Sequence, residues 1–411
     1  MASISAGTTR TVKVLGLVGA THAMSHIYSR GLQPLFPLLV VDLGISYTAI
    51  GLVVTVFSLC AALMTTPIGF VVDRLGGQRV LIWGLALQAA ATTAVGFTGS
   101  YWALLALFAF AGCAFSVYHP SDYAILSASV EESRLGRAFS FHAFCGNIGS
   151  AAAPMIMVGI AAVADWRTAF FVTGVAGLLL AGLLLTQSEA LSDGIERMRR
   201  EPKAPSNEEA PEAPKGLLEE FRILLTPAVL FCFLFYVISN IGAGGFTTYG
   251  VSALVELYDA PLTLASSALT GFLIGTSGGI LAGGWIADRY GARMTTAALG
   301  FLISAALLML VGTVSMPMVL IVAVLSASGF MRGTVQSSRD LIVLSVTPRG
   351  STGKVFGFVY NGNMIGAATV PLAYGWMLDL GRPSLVFWLS GLILIASLGT
   401  FFGVKKLAPR T

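Results

Sequence analysis

The stretch that decides the fold occurs twice in the chain, as GFVVDRLGGQR at residues 69–79 and as GWIADRYGAR at residues 284–293. Each copy is a short charged island between two long apolar runs. The shared pattern is Gly-x-x-x-Asp-Arg-x-Gly, followed closely by an arginine. Two such copies, half a chain apart, predict one bundle of membrane helices that is duplicated within a single polypeptide.

The composition predicts a lipid solvent. Of the 411 residues, 55% are hydrophobic and only 11% are charged, and the mean hydropathy is +0.82. A soluble domain carries about 25% charged residues. The net charge of +4 is too small and too scattered to indicate nucleic-acid binding. The four cysteines lie in apolar runs without metal or redox spacing, so we expect no metal and no other cofactor.

The apolar runs predict an all-α integral membrane protein with about twelve spanning helices, six in each half. Predicted spans are 13–38, 48–71, 80–99, 102–128, 136–162 and 167–187 in the first half, and 225–250, 262–286, 294–314, 317–343, 354–378 and 383–404 in the second. The predicted domains are therefore an N-terminal bundle at 1–187, a linker at 188–222 and a C-terminal bundle at 223–411. The linker is rich in proline and acidic residues, which favours a flexible tether.

Basic residues in the short loops predict the orientation. One side of the bundle receives most of the loop arginines and lysines, and the other side receives only Arg167 and Arg382. By the positive-inside rule, both termini are expected in the cytoplasm. Residues 1–9 are polar and lack the apolar core of a cleaved signal peptide. We therefore expect a multi-pass protein of the cell inner membrane, in contact with the lipid bilayer and monomeric.

The duplication continues beyond the two charged islands. Gly136-Arg137-Ala138-Phe139 is echoed by Gly353-Lys354-Val355-Phe356, and Ile148-Gly149 by Ile365-Gly366. In the same register, Gly112 corresponds to Gly329, Ser121 to Ser338 and Pro154 to Pro371. Unrelated glycine-rich helices would not keep this register, so the two halves are expected to be structural repeats.

These motifs resemble the major facilitator superfamily of secondary transporters, and the resemblance covers essentially the whole chain. Residues 146–154, GNIGSAAAP, are similar to the glycine-proline motif of its drug/proton antiporters, although Ala153 stands where that motif usually has glycine. The arginine that those antiporters carry in helix four is missing, because Phe108 precedes Gly112 by four residues. Tyr118-His119-Pro120 and the first helix with His26 are most similar to the fosmidomycin-resistance group of efflux proteins.

The repeated islands are predicted to form a conformational latch. An aspartate just past a helix can accept hydrogen bonds from the free backbone N–H groups at the start of a neighbouring helix. The resemblance implies that the latch joins the two halves on the cytoplasmic side and opens during transport. Its predicted residues are Gly69, Asp73, Arg74, Gly76, Arg79, Gly284, Asp288, Arg289, Gly291 and Arg293.

Charged residues inside the membrane predict a polar cavity, because an arginine or aspartate at mid-helix costs about 2.5–3.5 kcal/mol on insertion scales. In the superfamily, helices one, four, seven and ten line this cavity. Arginine suits carboxylate or phosphonate groups, which favours a small organic anion as substrate. The predicted substrate-binding residues are Arg30, Arg332, His26, Tyr118, Gln336 and Asn361.

A cytoplasmic gate and a proton carrier are also predicted among the polar residues of the cavity. Asp122 and Arg339 are equivalent positions in the two repeats, one acidic and one basic, and are predicted to pair as a cytoplasmic gate. Each could instead pair within its own half. The proton carrier is predicted among Asp122, His119 and His26, which the sequence alone does not rank.

The predicted function is proton-coupled transport of a small organic anion or amphiphilic compound by alternating access, with efflux favoured by the resemblance. Uptake by symport uses the same parts and stays open. A membrane enzyme is disfavoured, since no nucleophile cluster or metal motif is present. A sensor with a transporter-like body is a further alternative, although it usually carries a sizeable soluble domain. A channel is disfavoured by the charged latch.

Overall fold

A computed structural model describes residues 6–131, 134–191, 223–290, 293–347 and 352–407, and these residues are almost entirely helical. The first part of the chain contains α1 (Ala6–Arg30), α2 (Phe36–Leu43), α3 (Tyr47–Leu75), α4 (Gly77–Val95), α5 (Tyr101–Phe115), α6 (Tyr118–Ser129), α7 (Leu135–Val163) and α8 (Trp166–Thr186). The second part contains α9 (Pro227–Tyr258), α10 (Leu262–Tyr290), α11 (Arg293–Val311), α12 (Met318–Ser345), α13 (Thr352–Asp379) and α14 (Ser384–Leu407). Each predicted span coincides with helical structure, which confirms the all-α membrane fold.

Seven of the described helical segments are long and apolar enough to cross a membrane by length and composition. Their mean hydropathies over the most apolar window range from 1.4 to 2.2. Two shorter apolar helices, Thr295–Val311 and Ser384–Thr400, accompany them. Large apolar side chains such as Leu63, Trp83 and Leu179 are exposed. Such surfaces suit lipid and would be unfavourable in water.

The chain divides into two compact units. Unit 1 comprises Met1–Ile45 and Leu52–Ser206, and unit 2 comprises Ser46–Gly51 and Asn207–Thr411. Most of the predicted linker, residues 192–222, lies outside the described residues. In unit 1, α1 packs against α7 and α4 against α8; in unit 2, α9 packs against α13 and α11 against α14.

The first predicted span, 13–38, is broken in the structure. Helix α1 ends at Arg30, and a single 3₁₀ turn at Gln33–Leu35 leads into α2. Pro34 explains the break, because it has no N–H to donate to the carbonyl of Arg30. Arg30 therefore stands at the carboxyl end of α1, where the helix dipole favours a positive charge.

The fourth predicted span, 102–128, is broken as well, into α5 and α6. Backbone bonds from Ser116 to Cys113 and from Val117 to Ala114 close tight turns at the junction. Pro120 lacks the N–H that would bond the carbonyl of Ser116, so a regular helix cannot continue there. The Tyr118-His119-Pro120 motif thus begins α6 instead of lying within one long helix.

Equivalent glycines make equivalent helix contacts in the two units, as the predicted repeat requires. A Cβ at Gly112 would collide with the carbonyl oxygen of Phe57, and one at Gly329 with that of Phe272. Gly149 likewise faces the carbonyl of Ala23, and Gly366 faces that of Val237. Small residues at these crossings let helix backbones approach closely.

Within unit 2, the first turn of α3 is capped by a side chain from the end of α13. The Asp379 carboxylate accepts hydrogen bonds from the backbone N–H of Tyr47 at 2.6 Å and of Thr48 at 2.9 Å. The Thr48 hydroxyl also donates to it. These N–H groups have no partner inside their own helix, so the carboxylate satisfies donors that the helix start leaves free.

The two latch segments are more helical than predicted. Asp73 was expected just past a helix but lies inside the last turn of α3, which ends at Leu75. Helix α10 likewise extends past Asp288 to Tyr290. Gly76 ends α3 with a φ of 89°, a backbone conformation that favours glycine. At Gly69 a Cβ would meet nothing within 4 Å, so no close contact there requires glycine.

The latch side chains are only partly described. Asp73, Arg74 and Arg79 are exposed. The helix dipole disfavours an acid in the last turn of a helix by about 0.3–1 kcal/mol, so α3 itself does not stabilise Asp73 at this position. Arg289 lies over the ring of Trp285, 5.7 Å from its centroid. Gly291 and the side chains of Asp288 and Arg293 lie outside the described residues, and the latch stays a prediction.

Candidate functional site

All four histidines of the chain meet around one buried carboxylate in unit 1. Asp122 Oδ2 lies 2.8 Å from His142 Nε2, which donates a hydrogen bond to it, and 3.3 Å from His22 Nδ1. The His22 ring stacks on that of His142 with centroids 3.6 Å apart and planes inclined by 27°. We call Asp122 with His22, His26, His119 and His142 the His–Asp cluster.

His22 is the centre of the cluster. Its ring centroid lies 4.8 Å from that of His26 and 5.2 Å from that of His119. His119 and His142 are farther apart, at 6.2 Å. His26 Nδ1 forms a 2.7 Å hydrogen bond with the Ser150 hydroxyl. The imidazoles therefore form a continuous series from Asp122 to Ser150.

Three local features assemble the cluster. His22 and His26 are four residues apart on α1, which places both on one helix face. The break before α6 positions His119 and Asp122 at the start of a new helix. Gly146 on α7 leaves room for the rings, because a Cβ there would lie 2.7 Å from His22 Nε2 and 2.9 Å from His26 Nε2.

Three members of the His–Asp cluster are buried. Asp122 is 0%, His142 2% and His22 3% exposed, whereas the His119 side chain is exposed. An ionised carboxylate in such surroundings is unfavourable unless a cation or hydrogen bonds compensate it. Among the described residues Asp122 Oδ1 has no hydrogen-bond partner. This arrangement can take up a proton on the carboxyl or on an adjacent imidazole.

The histidine nitrogens are also close enough together for metal coordination. Ligand atoms of His22, His119 and His142 lie within 4.8 Å of one another. However, the ring planes of His22 and His142 are nearly parallel, so their nitrogen lone pairs run side by side. A tetrahedral metal site requires lone pairs that converge on one point. The geometry suits hydrogen bonding to Asp122 better than coordination.

The structure separates the remaining predicted residues of unit 1. Arg30 is exposed at the end of α1, one turn beyond His26. Tyr118 is fully buried, and its hydroxyl donates to Gln88 Oε1 at 2.6 Å. Arg30 is thus available to a ligand, whereas Tyr118 lies in the interior of unit 1. The substrate role of both stays a prediction.

Unit 2 holds the other predicted residues. Arg332 and Gln336 are half-buried on α12, and Asn361 is exposed on α13. The guanidinium of Arg339 lies over the ring of Tyr236, 4.1 Å from its centroid. Asp122 and Arg339 belong to different units. Their pairing as a gate therefore stays a prediction.

The equivalent helix crossings relate the Arg339–Tyr236 contact to the His–Asp cluster. The equivalent glycines Gly149 and Gly366 face the carbonyls of Ala23 and Val237, so these two residues are equivalent as well. The residues that precede them, His22 and Tyr236, are then also equivalent. The neighbouring pair Asp122 and Arg339 was already equivalent by sequence. At these equivalent positions, unit 1 has Asp122 next to His22, and unit 2 has Arg339 over the ring of Tyr236.

Sequence reasoning assigned no role to His22 and His142. The spacing of four residues between His22 and His26 is the one local signal, because it places both on one helix face. Nothing local to His142 indicates that α7 brings it to Asp122, because that contact depends on how α1, α6 and α7 pack.

Comparison with known proteins gives the family. The family model of the Major Facilitator Superfamily matches residues 18–260 and 246–410. The Fosmidomycin resistance protein of Escherichia coli is 25% identical over 299 residues, which cover 71% of this chain and 70% of that protein. The membrane sensor protein UhpC of Salmonella typhimurium is 25% identical over 247 residues, covering 58% of this chain and 56% of that protein. A probable sulfoacetate transporter of Cupriavidus necator is 26% identical over 165 residues, covering 40% of this chain and 38% of that protein.

The fold has a solved counterpart. A bacterial homolog of the human lysosomal transporter Spinster, in an inward-facing and occupied conformation, superposes with a TM-score of 0.78 at 13% identity. The match covers 96% of this chain and 97% of that chain. The sequence motifs and the family-model match indicate a transporter and not an enzyme. The chain belongs to the major facilitator superfamily.

Proposed function

We propose that this secondary transporter is proton-coupled and moves a small organic anion by alternating access, with export as its direction. The single observation that carries the proton coupling is the meeting of all four histidines around buried Asp122. A transported proton needs a group that can be charged or neutral inside the membrane. A carboxylate shared by imidazoles provides one, because the pair exchanges a proton without leaving an isolated charge.

The anionic substrate class is supported by the exposed guanidinium of Arg30, which stands one helical turn from His26. Arg332 adds a second cation, which is half-buried on α12. A guanidinium offers paired donors that match carboxylate, phosphonate or sulfonate oxygens. The names of two relatives, a fosmidomycin resistance protein and a probable sulfoacetate transporter, are consistent with this class and supply probes.

The predicted gate and latch extend the proposal to the full transport cycle. The Asp122–Arg339 pair serves as the cytoplasmic gate, and the two charged islands as the latch. Both termini are cytoplasmic, and the transporter works as a monomer in the inner membrane. Uptake by symport is the alternative direction. The likeness to a membrane sensor protein also supports a sensor as a second candidate function.

Transport in liposomes tests the proposal. Purified protein is reconstituted with a pH-sensitive dye inside, a pH gradient is imposed, and labelled fosmidomycin or sulfoacetate is followed. We expect gradient-driven movement of at least one anion together with a proton flux, both lost in Asp122→Asn. Asp165→Asn makes the same chemical change at an exposed helix cap and should keep both. Anion movement that ignores the gradient contradicts the coupling. Binding without movement favours the sensor.

A further inference from the structure

We propose that His22 relays the proton between Asp122 and His26, so that the buried carboxyl communicates with the Arg30 end of α1. This inference rests on the proposed proton coupling, and it assigns a role to a residue that the coupling alone does not require. Of the four imidazoles, only His22 lies in ring contact with the other three. A proton on Asp122 or His142 therefore has His22 as its neighbour on the way to His26.

The contacts on each side of His22 define the route. On one side its Nδ1 is 3.3 Å from Asp122 Oδ2, beside the 2.8 Å bond that His142 makes to the same oxygen. On the other side its ring edge meets the ring of His26, whose Nδ1 is bonded to Ser150. Arg30 follows one turn along α1. Among the described residues, His22 Nδ1 has no hydrogen bond of its own, so it is open to a proton from the carboxyl.

The stacked pair limits how many protons the cluster holds. With centroids 3.6 Å apart, His22 and His142 cannot both be cationic without strong repulsion, and one carboxylate balances only one of them. A proton arriving on His22 therefore favours release of a proton from His142, and the reverse. The titratable groups that contact this pair are His26 on α1 and His119, Asp122 and Tyr123 on α6. Arg30 lies one turn beyond His26 on α1, and Tyr118 precedes His119 on α6.

The relay is tested by titrating the histidines directly. Because the chain has only four histidines, selective ¹⁵N-histidine labelling yields a spectrum of four imidazoles. Titration midpoints are measured for the purified wild type, Asp122→Asn, His22→Phe and the combination of both changes. His22→Phe keeps an aromatic ring in the stack but cannot carry a proton. Thr21→Val is the matched control, since Thr21 is as deeply buried on α1 as His22, and its hydroxyl donates to the Leu17 carbonyl of its own helix.

If His22 is the relay, Asp122→Asn lowers the His26 midpoint in the wild-type and Thr21→Val backgrounds, because a nearby negative charge is lost, and leaves it unchanged in His22→Phe. An equal movement of His26 with and without His22 overturns the relay, because the coupling is then directly through space. If His22→Phe does not fold, His22→Asn replaces it. A measurement on the wild type needs no variant: His22 and His26 should show linked, two-step curves, and independent single-step curves contradict the relay. Loss of proton coupling in wild-type liposomes, by contrast, refutes the proposed function itself.

Discussion

Alanine at Gly146 should disturb the His–Asp cluster, whereas alanine at Gly159 on the same helix should not. A Cβ at Gly146 would lie 2.7 Å from His22 Nε2 and 2.9 Å from His26 Nε2, and real Cβ atoms essentially never approach closer than 3.0 Å. The rings cannot swing away freely, because His26 is bonded to Ser150 and His22 is stacked on His142. A Cβ at Gly159 would meet nothing within 4 Å.

The magnitude follows from two opposing effects. Replacing a helical glycine by alanine stabilises a protein by about 0.5–1 kcal/mol. Overpacking a filled interior costs about 1–3 kcal/mol. Gly159→Ala should therefore be stabilising by about 0.5–1 kcal/mol. Gly146→Ala should range from neutral to destabilising by about 2.5 kcal/mol, which leaves a gap of about 1–3 kcal/mol between the two variants.

Thermal unfolding of the two variants in the same detergent measures this gap, and ¹⁵N-histidine spectra show its cause. We expect a lower Tm for Gly146→Ala than for Gly159→Ala, with the His22 and His26 signals moved only in the former. Equal melting temperatures and unmoved signals would refute the packing of α7 against these two rings, and with it the geometry of the cluster.

Four further predictions concern other parts of the molecule. Gly76→Ala should destabilise the protein by about 1–3 kcal/mol, because a φ of 89° strains any residue with a side chain. Thermal unfolding measures this change, with Gly159→Ala as the control. Asp379→Ala removes the cap from the first turn of α3 and should cost about 0.5–2 kcal/mol of stability in the same assay. Single charge reversals Asp122→Arg and Arg339→Asp should each abolish transport in liposomes, and the double reversal should restore movement of the anion down its own gradient but not the proton flux, because Asp122 carries the proton; a folded double variant without anion movement refutes the gate. The hydrogen bond from the backbone N–H of Thr168 lowers the pKa of Asp165. The ionised Asp165 carboxylate therefore stabilises the folded protein above the ordinary pKa of 3.8, and this stabilisation is lost as pH falls through the lowered pKa. Asp165→Asn should remove that part of the pH dependence of Tm.

The membrane fold could be predicted from the sequence because it depends on long apolar runs, which hydropathy reports directly. The two breaks were missed for a physical reason. Averaging over about twenty residues hides a single proline, yet Pro34 and Pro120 each remove one backbone hydrogen bond and interrupt a helical run. The latch motif predicted Asp73 just past the end of a helix, whereas Asp73 lies inside the last turn of α3.

The candidate site was predictable only in part. Helical spacing placed His22 and His26 on one face of α1, and the buried charge of Asp122 marked it as functional. The convergence of α1, α6 and α7 could not be predicted from local pattern, since it depends on glycine contacts between helices distant in sequence. For that reason His142, the direct hydrogen-bond partner of Asp122, had no assigned role before the structure was known.

The central claim is that Asp122, held by the histidines, carries the coupled proton. Its most direct test is the anion-dependent proton flux into liposomes, recorded with an internal pH dye for the wild type and for Asp122→Asn at equal reconstitution. We predict a flux in the wild type that depends on the added anion and disappears in Asp122→Asn. An anion-dependent proton flux that survives in folded Asp122→Asn would contradict the account.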